Sequence, residues 1–130
     1  MNEAALPEYA HANMVEELER LDEERLDKVG YGVIGFDAET VVRRYNDFES
    51  KLAGISKERA IGHAFFTVVA PCMNNYMVAL KFEDALASNT ALDATIKYVL
   101  TLRMRATNVT LRLLVAPNVP TRYILVDWHR

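Results

Sequence analysis

The sequence predicts an α+β protein: an antiparallel five-stranded sheet with helices on one face and a helical cap at the N-terminus. Three observations carry this. Alternating segments rich in β-branched residues stand in a pair early in the chain and as a set of three at its end. Short helical segments punctuated by glycine and proline fill the space between them. Residues 1–28 differ from the remainder, being acidic with a narrow apolar stripe. The chain has 130 residues, 51% hydrophobic and 25% charged, which suits one folded domain with a core that needs no disulfide.

The elements follow in order. In "NMVEELERLDEERLDKV" the residues Met14, Val15, Leu18, Leu21, Leu26 and Val29 recur near helical spacing. One or two short helices are expected there. So thin a stripe cannot form its own core, so residues 1–28 are expected to cap a larger body spanning 29–130 and to be its least stable part. "YGVIGFDA" reads as a strand entering a turn at Asp37, and "TVVRRYN" as its hairpin partner. "DFESKLAGI" reads as a short helix ending near Gly54, and "SKERAIG" as another with Ser56 as N-cap. "HAFFTVVAPC" is helical or irregular and stops at Pro71. "NNYMVALKFEDALAS" reads as the best helix, capped by Asn74 or Asn75, with Tyr76, Leu80, the Lys81 stem, Ala85 and Leu86 on one side. "ALDATIKYVLTLRM", "TNVTLRLLVAPN" and "TRYILVDWH" are the last three strands, turning around Ala106 and "APNVP". A pocket between the sheet and the small helices is the natural binding place.

Composition narrows the function. A net charge of −3 argues against a nucleic-acid partner. No apolar run is long enough to span a bilayer, and the acidic N-terminus is unlike a secretory signal. A single cysteine forms no internal disulfide, which suits a reducing cytoplasm. No zinc spacing, phosphate-binding loop or dinucleotide fingerprint is present, and no metal is expected. His63 lies nine positions before Cys72 with no third member, so a cysteine-hydrolase reading is disfavoured. His11 and His129 look solvent-exposed, and Arg103, Arg105 and Arg112 read as a solvated strand face. Trp128 is placed to anchor the cap or a second copy. By composition alone, Cys72 reads as a small buried hydrophobe, Tyr45 as a core aromatic and Glu49 as a solvated helix carboxylate.

The element order resembles the PAS fold. The stretch "YNDFESKLAGISKERAIGHAFFTVVAPC" runs without gaps alongside the photoactive yellow protein family. The shared elements are the "YN" pair, a Glu four residues after the Tyr, an "IG", an "FF" and "VAPC". "YNxxE" alone is weak; "VAPC" at this distance from the tyrosine is specific. The resemblance extends over nearly the whole chain.

The resemblance implies a blue-light sensor in which Cys72 carries p-coumaric acid as a thioester. Tyr45 and Glu49 would hydrogen-bond its phenolate. Glu49 can donate only when protonated, and burial beside an anion favours that form. Light would isomerise the bound group, Glu49 would give up its proton, and the cap would loosen. The implied lining is Ala53, Ile55, Phe65, Ala70, Leu100, Leu102 and Met104. Ala53 stands where the family has a threonine supporting the tyrosine. Ile55 replaces an arginine that covers the pocket, and Leu100 and Leu102 replace an aromatic pair. Met104 is retained. No enzymatic turnover is implied. The partner would be an unidentified downstream signalling protein, not nucleic acid or membrane, and the chain a monomer or weak homodimer. Two further readings stand beside this one. The first is a non-photochemical PAS module that binds a small apolar or aromatic ligand or mediates dimerisation. The second is an enzyme or acyl carrier using Cys72 transiently.

Overall fold

The computed structural model describes residues 6–101 and 105–129. Two short helices, α1 (Met14–Arg20) and α2 (Glu23–Leu26), precede the hairpin β1 (Gly32–Phe36) and β2 (Val42–Tyr45). Helices α3 (Asp47–Ala53) and α4 (Lys57–Ala60) follow, then a π-helical turn at Phe65–Val69 and a 3-10 turn at Pro71–Met73. Helix α5 (Ala79–Ser88) leads into β3 (Leu92–Leu100), β4 (Thr107–Val115) and β5 (Arg122–Asp127). The strands form one antiparallel sheet in the order β2-β1-β5-β4-β3.

Local chemistry explains the boundaries. Asn46 caps α3 by accepting from the Glu49 N–H, and Gly54 ends it at φ 75°, where a side chain would be strained. The Ser56 side chain caps α4 as its position predicts. Pro71 needs no amide donor at the first position of its turn, so it opens the 3-10 turn that carries Cys72.

The sheet is covered on both faces. On the front, Ile34, Phe36, Leu111, Leu113, Ile124 and Val126 meet the α3–α5 region. Phe36 stacks on Phe65 and meets Phe66 and Phe82 edge-on. On the back, Val33, Leu114, Tyr123 and Leu125 meet Met14, Val15, Leu18 and Leu26 of the cap. Strand alternation sends Val33 one way and Ile34 the other, so β1 is buried throughout. The cap helices therefore lie on the face opposite the other helices.

Two expectations need correction. The long helix does not start at the asparagines, and of the predicted stripe it buries Ala85 but not Tyr76, Leu80 or Leu86. It starts at Ala79 and buries Ala79, Phe82 and Ala85, while Tyr76, Leu80 and Leu86 face solvent. The reason is Asn75, whose Oδ1 accepts from the Met77 and Val78 amides and holds a turn there. The delayed start sets which stripe faces the sheet, and Phe82 fills the aromatic cluster. Arg112 is not solvated. It is 6% exposed on the back face, where it forms a two-pronged pair with Asp93 and donates to the Tyr9 carbonyl. Arg105 is exposed as expected, and Arg103 lies outside the described residues.

Candidate functional site

The segment from β2 into α3 builds the site. Tyr45 is the last residue of β2 and points into the front core at 2% exposure. Its hydroxyl is buried and has no hydrogen-bond partner. Such orphans are rare, because each costs the desolvation of a polar group. Glu49, in the first turn of α3, is 1% exposed. Burial raises its pKa to about 7, against a smaller lowering by a hydrogen bond from Trp128. Burial and then the nearby Glu49 charge push the Tyr45 phenol well above its ordinary value.

Asn46 between them faces backwards and is fully buried. Its Oδ1 accepts from the Val33 and Glu49 amides. Its Nδ2 donates to the Leu26 and Tyr31 carbonyls, both at 3.0 Å. One side chain thus joins the site helix, the first strand and the end of the cap. Arg44, the neighbour on the other side, reaches the Leu18 and Leu21 carbonyls, the Tyr123 hydroxyl and Glu23.

Cys72 is half-buried and packs against the same front core that holds Tyr45. Its carbonyl accepts from the Tyr98 hydroxyl at 2.6 Å and from Asn75 Nδ2 at 3.2 Å. Asn75 Nδ2 also donates to Tyr98 Oη at 2.6 Å. The cysteine turn is therefore pinned to β3.

Phe65, Ala70 and Leu100 belong to the front core, and Ile55 packs against it. Ala53 is buried one turn beyond Glu49. Leu102 and Met104 lie outside the described residues. His63 is exposed. Three contributors escaped the sequence reading: Tyr98, Asn75 as a clasp on Cys72, and Trp128 as partner of Glu49. Trp128 does not anchor the cap; it packs against the front core and bonds Glu49. The alternation that sends Ile124 and Val126 forward carries Trp128 forward too, and that was the available signal.

No family model matches the chain. It is 32% identical over 85 residues to photoactive yellow protein of Rhodothalassium salexigens, covering 65% of this chain and 67% of that protein. It is 30% identical over 92 residues to photoactive yellow protein of Halochromatium salexigens, covering 71% and 73% respectively. The chain belongs to the photoactive yellow protein family. Its fold matches the photoactive yellow protein domain from the sensor histidine kinase Ppr of Rhodospirillum centenum, with TM-score 0.77 and 34% identity. That match covers 84% of this chain and 95% of that domain. The PAS domain of the Cronobacter turicensis RpfR quorum-sensing receptor, at TM-score 0.59 and 11% identity, shares the fold alone. The chain is thus a PAS domain of the photosensory kind.

The residues fit a chromophore of the photoactive yellow protein family. A phenolate in an apolar core needs donors. The free Tyr45 hydroxyl at the end of β2 and the Glu49 carboxyl in the first turn of α3, whose protonated form burial favours, are two such donors. A single thiol on a fixed turn at the edge of the same core suits covalent attachment. Ile55 and Leu100 give the front core aliphatic side chains, and Ala53 is buried on α3. Among the described residues, no helix is long and apolar enough to cross a membrane.

Proposed function

We propose that the chain is a blue-light sensor carrying a p-coumaroyl thioester on Cys72, with its phenolate end at Tyr45 and Glu49. The observation that carries this is the buried, unpartnered Tyr45 hydroxyl beside a buried Glu49 whose pKa is pushed up to about 7. The bound group supplies a photoisomerisable double bond and a phenolate that accepts a proton. Everything else falls to the chain. Tyr45 and Glu49 donate hydrogen bonds that hold the charge. Phe65, Ala70, Leu100 and Ile55 exclude water, and by resemblance Ala53 leaves the Tyr45 side of the site without a hydroxyl. Leu102 and Met104 are assigned to the same wall by resemblance.

After illumination the Glu49 carboxyl gives its proton to the phenolate and is left as a buried carboxylate. A poorly paired buried charge costs several kcal/mol. Asn46 accepts from the Glu49 amide and donates to Leu26 and Tyr31, so strain at α3 reaches the cap directly. The cap, residues 1–28 on the back of the sheet, is the element that loosens. A downstream signalling protein in the cytoplasm reads this change; nucleic acid and membrane are not partners, and the chain acts as a monomer or weak homodimer.

The test is a spectrum with a mass. Purified protein is mixed with an activated p-coumaric acid, and intact mass and visible absorption are recorded beside Cys72→Ser. The expected result is one p-coumaroyl adduct, absent in the serine variant, with a blue-absorbing band that bleaches in light and recovers. An adduct absorbing in the near ultraviolet, as a neutral phenol does, refutes the ionised site. No adduct at all leads to the non-photochemical PAS binding module, with another occupant in the same core.

A further inference from the structure

We infer that Trp128 is a positioning residue for Glu49: its indole N–H is a second seat for the carboxyl, holding the carboxylate once Glu49 has lost its proton. The inference rests on the light-sensor reading for its role in the cycle, though the contact itself needs no chromophore.

The geometry is specific. Trp128 Nε1 donates to Glu49 Oε1 at 2.9 Å. Trp128 follows β5 directly and packs against the front core. The carboxyl reaches it across Gly32 of β1. A Cβ at position 32 would stand 2.0 Å from Glu49 Oε1 and 3.2 Å from Glu49 Cβ. Any other residue there would force Glu49 away from Trp128, so β1 has a notch where this hydrogen bond passes. The indole nitrogen carries one donor and no acceptor. It bonds a carboxyl oxygen whether or not the group is protonated, and bonds it more strongly when ionised. That direction matches the lowering that Trp128 exerts on Glu49.

The other groups around this contact are few. Tyr45 is the titratable side chain facing Glu49 from the β2 end. Asn46 engages the Glu49 amide, leaving its carboxyl to Trp128. Asp127 and His129 flank Trp128 in sequence but turn outward. Asp127 accepts from the His129 amide, and the His129 ring meets Thr110 Oγ1. The consequence for the cycle is a division of labour. While Glu49 is protonated, its O–H serves the phenolate and its other oxygen rests on Trp128. When the proton passes to the phenolate oxygen, the carboxylate keeps the indole N–H, which limits the strain sent to the cap.

Trp128 is the sole tryptophan, so its fluorescence reads the contact without a chromophore. The apoprotein is titrated from pH 4 to 9, which brackets the Glu49 value of about 7. The expected result is an emission change with a midpoint near 7 that disappears in Glu49→Gln. An emission change that persists unaltered in Glu49→Gln comes from another group and overturns the inference. In Trp128→Phe, which keeps the ring, the infrared carboxyl band of Glu49 should persist to higher pH, its midpoint rising by about one unit, a tenfold weaker acid. An unmoved midpoint overturns the inference from the other side of the contact. Both readouts use protein without p-coumaroyl. A failed adduct with an intact fluorescence titration therefore removes the sensor reading and leaves the contact. A photoactive adduct with a flat titration does the reverse.

Discussion

Glu49 sets a sign on the pH dependence of stability that can be worked out and measured. In the unfolded chain its carboxyl has the ordinary value of 4.5, and in the folded apoprotein burial raises it to about 7. Between these values the folded state binds the extra proton, so stability falls as pH rises through the window. Below the unfolded value the protonated group is accommodated at no titration cost. Well above 7 the chain must fold with a buried carboxylate, or release it to water by unfolding. The separation of the two values corresponds to about 3 kcal/mol. Glu49→Gln removes this titration. Its amide oxygen keeps the Trp128 donor, and its NH2 can donate to the unpartnered Tyr45 hydroxyl. The assay is urea unfolding of wild-type and Gln apoprotein from pH 4 to 8. Other groups, including Asp37 and Asp93 whose carboxyls are held low by Arg43 and Arg112, cancel in the difference. The two proteins should be closely matched at pH 4, and the Gln variant should gain about 3 kcal/mol by pH 8, roughly 10 °C in Tm. A wild-type minus variant difference that stays flat across the window refutes a protonated, buried Glu49. The same result would remove the donor on which the phenolate site depends.

Two further outcomes test the route from site to cap. Asn46→Ala strands the buried Val33 and Glu49 amides and the Leu26 and Tyr31 carbonyls. It should cost at least about 3 kcal/mol in urea unfolding, with loss of hydrogen-exchange protection in residues 14–33 before the rest of the sheet; uniform protection would refute the coupling. Arg44→Ala removes the donors to Leu18 and Leu21 and the exposed pair with Glu23. A loss of about 1–3 kcal/mol is expected, mostly from the two carbonyl bonds, because Glu23 is well solvated. Limited proteolysis should cut between residues 14 and 28 several-fold faster, while an unchanged rate would show that apolar packing alone holds the cap.

The sequence by itself determined the elements and their order. Period-two alternation in "LDATIKYVL" and "TNVTLRLLV" marks strands whose apolar residues must share a face, whatever they pack against. Asn46, Gly54, Ser56 and Pro71 fixed boundaries because capping and backbone restriction act within a few residues. The cysteine, tyrosine and glutamate of the proposed site came from the family resemblance, which could carry them because all three sit on one continuous stretch of chain. Tertiary structure decided what distant segments do to each other. It put the cap on the back of the sheet, because β1 and β5 alternate between two apolar faces and the thin cap stripe must cover one of them. It turned α5 so that Phe82 faces in, because Asn75 holds the preceding turn and the aromatic cluster has room for a ring. It buried Arg112, whose partners Tyr9 and Asp93 are far away in sequence. It also carried Trp128 across the notch at Gly32 to Glu49, a meeting of β1, α3 and the end of β5 that no local pattern encodes. Spacing along the chain can announce which groups a site contains. The neighbours that tune those groups come from strand register and packing, which only the folded molecule sets.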